Sequence, residues 1–578
     1  MNRRFLVIFL AAIVAACGAE KPEPSLATKV VLASGEVVGY EGDRDTYIWK
    51  GIPYAEPPVG DLRWRAPQPV QPWGGSLEAL EFGPACVQPQ NFMAGDNAPE
   101  SEHVIGVEDC LTLNIYSPRE AFTGDSKLPV MYWIHGGGNR VGSAQTYDAS
   151  RLASTQNVVV VSINYRLGLM GWFRHAALRP EGASLEDQSG NYGTLDIIAG
   201  LHWVQDNIEK FGGDPNRVTV FGESAGGRNT WSMVQSPLAK GLFHGAIVQS
   251  GSLRIMDAAK SEQYSKDAVD YASYENNSSE LVEKLVPNQA ELDGAGIARL
   301  LRAKPAGDIY AAATPNIANM YDQPRLFLDG YVFAEPALDL FRDPAKYNAV
   351  PIITGANRDE DKTFMFLDER WVDKRFGFLP QVKDAERYDK AAALGSDTWR
   401  FYSVDKPAEV IALHDGPPIY TYRFDFDELS DSIIDLPNLV GAGHAVEIPF
   451  VFGTHEEFPW SFMFSNLEQR TKLADTMMSY WGQFAHTGNP GKGKNQELPP
   501  WTPWQPQGEH IMFFDTDNDG GARMVEDRLT IEAIRQRLVN DAAFTKEERC
   551  EAYPKIFLTG YMIADGYVES EHSLLCEG

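Results

Sequence analysis

The residues with the clearest chemical potential are five in a row, Gly222-Glu223-Ser224-Ala225-Gly226. A serine hydroxyl is a weak nucleophile. It becomes a useful one only where it stands clear of the backbone with a base in reach. The apolar run Arg217-Val218-Thr219-Val220-Phe221 before it reads as a buried strand, and Thr230-Trp231-Ser232-Met233-Val234 after it reads as the start of a helix. A G-x-S-x-G turn between strand and helix is a nucleophile elbow, with the serine at a strained corner. Gly222 and Gly226 carry no Cβ, so the two elements can approach closely. The alternative is a chance pentapeptide in a surface turn, and three further segments weigh against it.

The first is Leu128-Pro129-Val130-Met131-Tyr132-Trp133-Ile134, an apolar run that ends in His135-Gly136-Gly137-Gly138. Attack of a serine on a carbonyl creates an oxyanion, best held by backbone N–H groups that no side chain blocks. Gly137 and Gly138, with Ala225 after the serine, are the candidate donors. A phosphate loop is disfavoured, because neither GK[ST] nor GxGxxG occurs here. The second segment, Val350-Pro351-Ile352-Ile353-Thr354-Gly355, is a strand that runs into Asn357-Arg358-Asp359-Glu360. The third puts His444 in a Gly-rich loop, Gly441-Ala442-Gly443-His444, after the strand-like Ile419-Tyr420-Thr421-Tyr422-Arg423-Phe424. Serine, acid and histidine thus follow in that chain order, one of three orders in which the triad recurs. Periodicity alone could not choose among 11 His and 80 acidic residues.

With these blocks the chain resembles the type-B carboxylesterases, the cholinesterase-like branch of the α/β-hydrolases, from about residue 28 to about residue 530. Lys50-Gly51-Ile52-Pro53-Tyr54-Ala55-Glu56-Pro57-Pro58, Gly83-Pro84-Ala85-Cys86, Glu108-Asp109-Cys110, Gly190-Asn191-Tyr192-Gly193 and Phe211-Gly212-Gly213-Asp214-Pro215 are similar to family blocks in the same order. The resemblance implies an α/β fold with a mostly parallel central sheet, helices on both faces and helical insertions that wall a gorge. It implies Ser224 as nucleophile, Glu360 as triad acid and His444 as base, with Glu223 an accessory glutamate and Ser250 a support. It implies a disulfide between Cys86 and Cys110 and no cofactor. Three positions depart from the pattern: Asp361 stands where a glycine is usual, Asn139 where an aromatic is usual, and Arg228-Asn229 where small residues are usual.

The elements that must position these residues can be read coarsely. Asn157-Val158-Val159-Val160-Val161-Ser162-Ile163 and Phe243-His244-Gly245-Ala246-Ile247-Val248 are further apolar runs, and strands spaced by helix-length segments predict a parallel sheet. Residues 28–66 read as an N-terminal sheet edge, 255–345 as a mostly helical insertion, 455–508 as helix followed by a Pro-rich stretch, and 531–578 as a C-terminal extension. The chain has 578 residues and 43% hydrophobic content, ordinary for a globular enzyme. Its net charge of −29 disfavours nucleic acid and anionic membrane patches as partners.

Residues 1–16 have a basic start and a short apolar core, as in a signal peptide. Val14-Ala15-Ala16-Cys17 is similar to a bacterial lipobox, which implies acylation of Cys17, a tether over 17–27, and an exported protein held at the cell envelope. The alternative is an ordinary signal peptide with an incidental Cys. Five Cys is an odd number, and acylating one leaves four. With Cys86 and Cys110 paired, Cys550 and Cys576 remain for each other. An exported protein permits both bridges.

Two further motifs are weaker. Asp515-Thr516-Asp517-Asn518-Asp519-Gly520 with Glu526 fits a calcium-loop pattern, but the strand-like Ile511-Met512-Phe513-Phe514 before it favours a hairpin turn at Asp519-Gly520. No metal is therefore assigned. Asn276 and Asn277 start glycosylation sequons that a bacterial leader makes uninformative.

The function expected is hydrolysis of small-molecule carboxylic esters. The alternatives are an amidase or peptidase with the same triad and a catalytically silent binding protein of the same fold. The second would lack a triad member, and none is missing here. Choline esters are disfavoured, since no Trp lies between Cys86 and Cys110 to meet a quaternary ammonium; Phe92 is the aromatic there. One expectation is testable directly. Intact mass should show the mature protein beginning at an acylated Cys17, and an unmodified chain beginning downstream of it would remove the anchor.

Overall fold

Apolar runs that do not alternate predict strands covered on both faces, and the central strands lie that way. The computed structural model describes residues 21–576 apart from 96–98, 100–103, 125–126, 254, 258–277, 314–325, 432–433, 458–460, 555 and 558–566. The signal peptide, Cys17 and the Asn276 and Asn277 sequons lie outside the described residues. The main sheet has eleven strands. In chain order they are β1 (Tyr40–Gly42), β2 (Thr46–Pro53), β3 (Thr112–Pro118), β4 (Leu128–Ile134), β5 (Val159–Ile163) and β6 (Gly213–Glu223), followed by β7 (Gly245–Gln249), β8 (Ile352–Asn357), β9 (Ile419–Phe424), β10 (Ile511–Phe514) and β11 (Arg523–Val525). Their spatial order is β11-β10-β9-β8-β7-β6-β4-β5-β3-β2-β1. The strands from β10 to β5 are mutually parallel, and the flanking pairs are antiparallel.

Successive side chains of a strand point to opposite faces. Val130, Tyr132 and Ile134 of β4 therefore join one core with Val218, Val220, Ala246 and Val248. Met131 and Trp133 join the other with Phe221, Ile247 and Ile353. The first core is roofed by the helices Tyr192–Asn207 and Ala225–Gln235 through Leu201, Val204, Trp231 and Met233. The second is roofed by Leu467–Thr487 through Met477, Trp481 and Phe484. The chain leaves β4 towards β5 on one side and returns to β6 on the other. This reversal opens a crevice at the carboxyl ends of β4 and β6, where ligands of such sheets bind.

Several peripheral expectations are corrected. The N-terminal strands do not all join one edge: Val30–Val31, Glu36–Val38 and Ser76–Glu78 form a separate three-stranded sheet. The 255–345 insertion holds the helices Ser278–Leu285, Gly294–Ala303 and Ala306–Ala312, and also a two-stranded parallel sheet, Ile255–Asp257 with Leu326–Leu328. That pairing joins residues too far apart in sequence for local patterning to announce. β10 and β11 do pair as an antiparallel hairpin, but their connection is longer than a two-residue turn. It contains a 3-10 turn, Asp517–Asp519, ended by Gly520 at φ 99°. Cys86 is bonded to Cys110, and Cys550 to Cys576. The second bridge ties Lys546–Pro554 to Glu569–Cys576. Their residues Tyr553 and Leu575 pack with Ile534, Leu538 and Leu394, the last from the helix Ala385–Arg400.

The glycines flanking Ser224 are set by contact with β4. A Cβ on Gly222 would lie 2.5 Å from the Ile134 carbonyl oxygen, and one on Gly226 closer still. Gly226→Ala should destabilise the protein by about 1–3 kcal/mol, the usual cost of overpacking. Gly416→Ala, where nothing lies within 4 Å, should be nearly neutral. Thermal denaturation of the two variants side by side checks this.

Candidate active site

β6 ends at Glu223, Ser224 takes φ 58° and ψ −117°, and the helix begins at Ala225. A serine at positive φ is strained, and the surroundings must over-determine it. They do: the Ser224 N–H donates to Gln249 O at 2.8 Å, and Ser224 O accepts from Arg228 N at 2.9 Å. Glu223 and Ala225 on either side are buried while Ser224 is partly exposed, so the turn presents this side chain alone.

The glycine loop after β4 wraps onto the same turn. A Cβ on Gly136 would lie 2.8 Å from Glu223 Oε2 and 3.3 Å from Ser224 Cβ. Gly137 and Gly138 take φ 100° and 69°, which glycine adopts without penalty. His135 at the loop's start is buried and stacked on Tyr165 with ring centroids 4.4 Å apart. Burial pushes its pKa down to about 4, against a hydrogen bond to Gly136 O, so this imidazole is neutral. Tyr165 Oη donates to His135 O at 2.6 Å. Two departures from the family pattern answer each other. Asn139 and Asn229 are both buried, and the Asn229 amide donates to Asn139 Oδ1 at 2.8 Å. Arg228 beside them is largely buried.

Among the three consecutive acids, Glu360 is the one placed against His444. It is fully buried and its Oε2 is in a short hydrogen bond with His444 Nδ1. Its Oε1 accepts from Ser250 Oγ at 2.5 Å and from Asn357 N at 2.7 Å. Ser250 is itself at φ 52°, pinned by its N–H to Gly355 O at 2.8 Å. Asp359 turns away to Arg358 at 2.8 Å and to the Ala442 N–H at 3.0 Å. Asp361 lies against Gly395, and its N–H donates to Ser396 Oγ at 3.1 Å. Burial and then the Glu360 charge push its carboxyl up to about 7, with His444 opposing.

His444 is buried, and its Nε2 makes no hydrogen bond among the described residues; Glu223 Oε1 lies 3.2 Å away without alignment. Burial disfavours charge on this ring, but Glu223, Glu360 and Glu447 outweigh it and push its pKa up. Glu223 is pushed well above the usual carboxylate range by burial, although His444 pulls it down.

Three neighbours went unassigned in the sequence. Glu447 is fully buried and accepts from Asn357 Nδ2 at 2.7 Å and Gln249 Nε2 at 3.1 Å; burial raises its pKa. Its place three residues after His444 was the available signal. Phe364 and Trp399 stack on each other and close over His444, with centroids 5.2 and 4.8 Å from the imidazole. Trp399 Nε1 donates to Ser250 O at 3.1 Å. No local spacing marks either ring, because they come from separate helices.

The carboxylates of the calcium-like segment have separate surroundings. Asp517 pairs with Lys472, Asp515 accepts from Thr516 N at 2.9 Å, and Glu526 is exposed beyond β11. Asp519 instead comes near Asp427 and Glu428, their carboxylates within 4.8 Å of one another.

Comparison with known proteins decides the family. The carboxylesterase family profile matches residues 22–376 and 376–532. The chain belongs to the carboxylesterase family. It is 36% identical over 521 residues to the fumonisin B1 esterase of Sphingopyxis macrogoltabida, covering 84% of this chain and 86% of that one. It is 33% identical to human carboxylesterase 3, covering 86% and 88%. A solved pNB esterase superposes with a TM-score of 0.66 at 30% identity, covering 88% of this chain and 99% of that one. The Geobacillus stearothermophilus carboxylesterase gives 0.67 at 28% identity with the same coverage. This carboxylesterase therefore has the α/β-hydrolase fold and hydrolyses carboxylic esters of small molecules.

In this carboxylesterase the His444 ring should titrate above its ordinary 6.5. Glu223→Gln removes one nearby carboxylate and should lower that midpoint by about one unit. NMR of selectively labelled histidine reads both values; an unmoved midpoint would mean that Glu223 is uncharged when His444 titrates.

Proposed function

We propose that Ser224 is the nucleophile of this carboxylesterase, His444 its general base and acid, and Glu360 the carboxylate that orients the imidazole. The observation that supports this reading best is the contact of Glu360 with His444 Nδ1 at the end of the sheet where Ser224 occupies its strained turn. That contact fixes the proton on Nδ1 and leaves Nε2 free to accept another. His444 Nε2 takes the Ser224 hydroxyl proton as Oγ bonds to the ester carbonyl carbon. The oxyanion is held by the N–H groups of Gly137, Gly138 and Ala225. The tetrahedral intermediate collapses, the alkoxide leaves with the proton from Nε2, and an acyl-serine remains. Water then attacks the acyl carbon while giving a proton to Nε2. The acid departs and Ser224 recovers its hydrogen. Ser250 supports the Glu360 carboxylate, and Glu223 supports the charge that His444 gains.

The protein is further proposed to be exported and held at the envelope by an acylated Cys17, with the family domain over 28–530 and a bracing extension over 531–578. Ser224→Ala should lower kcat/KM for a chromogenic ester by about 10³-fold or more and abolish covalent organophosphate labelling. Glu360→Gln should be far more damaging than Asp359→Asn or Asp361→Asn. Turnover of matched ester and amide substrates completes the test: persistent labelling at another serine, or amide turnover equal to ester turnover, would overturn the reading.

A further inference from the structure

Shortly after Phe364 the chain leaves the site as a two-stranded hairpin, Val372–Arg375 paired antiparallel with Leu379–Val382. Its base is fixed. Val372 is buried, and Trp371 packs edge-on to Tyr388 with centroids 6.4 Å apart. Arg387 lies over the Trp371 ring at 5.5 Å. Tyr388 Oη donates to Leu439 O at 2.9 Å, which ties the base to the segment that leads into His444.

The tip is uncovered. Every residue from Asp373 to Phe378 is exposed, with Phe376 at 75% and Phe378 at 57%. Leu367, just before the hairpin, is 63% exposed. Phe376 also sits at φ 55°, a conformation in which a bulky residue is strained and Gly or Asn is relaxed. An aromatic ring held in water on a strained backbone is unfavourable on two counts for the molecule alone. The acidic total of the chain opposes an anionic surface, but charge more than about 8 Å away is screened at physiological salt, and the charge at the tip itself differs in sign. Residues 374–383 carry Lys374, Arg375 and Lys383 and no carboxylate, in a chain of net charge −29. Lys374 and Lys383 face Glu369 and Asp373 at 3.3 and 3.4 Å. Arg375 has no carboxylate partner among the described residues and lies 5.2 Å over the Phe376 ring.

We propose that this hairpin docks the protein on an anionic phospholipid bilayer, with Phe376 and Phe378 in the interfacial layer and Arg375 at the headgroup phosphates, Lys374 and Lys383 joining it by exchanging Glu369 and Asp373 for phosphate. Amphipathic aromatic and cationic groups together are what that interface accepts. The exposed tip, Asp373 to Phe378, is short beside the roughly 20–30 residues a side that a stable protein contact uses. The hairpin departs from the carboxyl end of β8, the end at which Ser224, Glu360 and His444 gather. Docking holds that end towards the lipid, so the esters favoured are amphiphilic ones dissolved in the bilayer. That last step rests on the esterase reading above.

The test uses the leaderless chain, residues 17–578 with Cys17→Ser, so that neither leader nor acyl chain binds lipid. Flotation is measured with vesicles of phosphatidylglycerol and phosphatidylcholine in equal parts, and with phosphatidylcholine alone. The parent should float with the anionic vesicles. Phe376→Asn with Phe378→Ser, which keeps the turn relaxed, should bind about tenfold more weakly or less. Lys374→Gln with Arg375→Gln should lose the preference for anionic vesicles. Turnover of a soluble short-chain ester should stay within about twofold in both double variants, which shows that the fold is kept. A parent that does not float, or a phenylalanine variant that floats as well as the parent, would overturn the proposal. So would loss of self-association in that variant with flotation unchanged, which would make the hairpin a contact between copies. The two readings fail separately: without esterase activity flotation persists and turnover is absent, whereas without docking turnover persists and flotation is absent.

Discussion

The end of the sheet that carries Ser224 depends on how closely two backbones meet. The carbonyl of Ile134, at the end of β4, occupies space that a Cβ on Gly222 or Gly226 would need. Gly136, in the next turn of chain, has its missing side chain replaced by the Glu223 carboxylate and Ser224. Three absent methyl groups therefore let the glycine loop and the serine turn share one wall. Strain at Ser224 survives because this contact, the Gln249 carbonyl and the helix beginning at Ala225 leave it no relaxed alternative.

Burying charge is the second constraint. Glu223, Glu360, Glu447 and His444 all lie out of solvent. Isolated carboxylates there would be costly unless hydrogen-bonded or protonated. Glu360 meets the first condition through Ser250, Asn357 and His444, and Glu447 through Asn357 and Gln249. Glu223 is pushed up by burial and pulled back down by His444 beside it. Phe364 and Trp399 complete the shield around the imidazole. Low local polarity strengthens the Glu360–His444 contact, and the same low polarity makes each remaining partner necessary.

Parts distant from the serine hold that shield in place. Trp399 lies in the last turn of the helix Ala385–Arg400, which packs through Leu394 on the C-terminal helices. The next residue, Arg400, is buried and bonded to Asp405 at 3.0 Å and Asp527 at 2.8 Å; Arg423 of β9 shares Asp527 at 3.0 Å. A cation buried between two carboxylates does not gain much net stability, but breaking one partner leaves an uncompensated charge. Register of the helix over the site is thus coupled to the segment after β11.

The sequence by itself determined the parallel strands, the elbow, the glycine loop and the chain order of serine, acid and histidine. These features are local: an apolar run is a buried strand whatever lies beyond it, and a glycine pair around a serine is readable within five residues. Asn357 and Glu360 stood in one short block for the same reason. Residue type left Asp359, Glu360 and Asp361 open and the family resemblance favoured Glu360; the tertiary structure turns Glu360 towards His444, since adjacent acids differ in direction rather than in type. It decided that Asn139 and Asn229 are partners, that Glu447 joins the buried acids, that Phe364 and Trp399 cover the imidazole, and that Ile255–Asp257 pairs with Leu326–Leu328. Each of these joins residues from separate elements, and packing in three dimensions sets such distances without leaving a period or spacing in the chain.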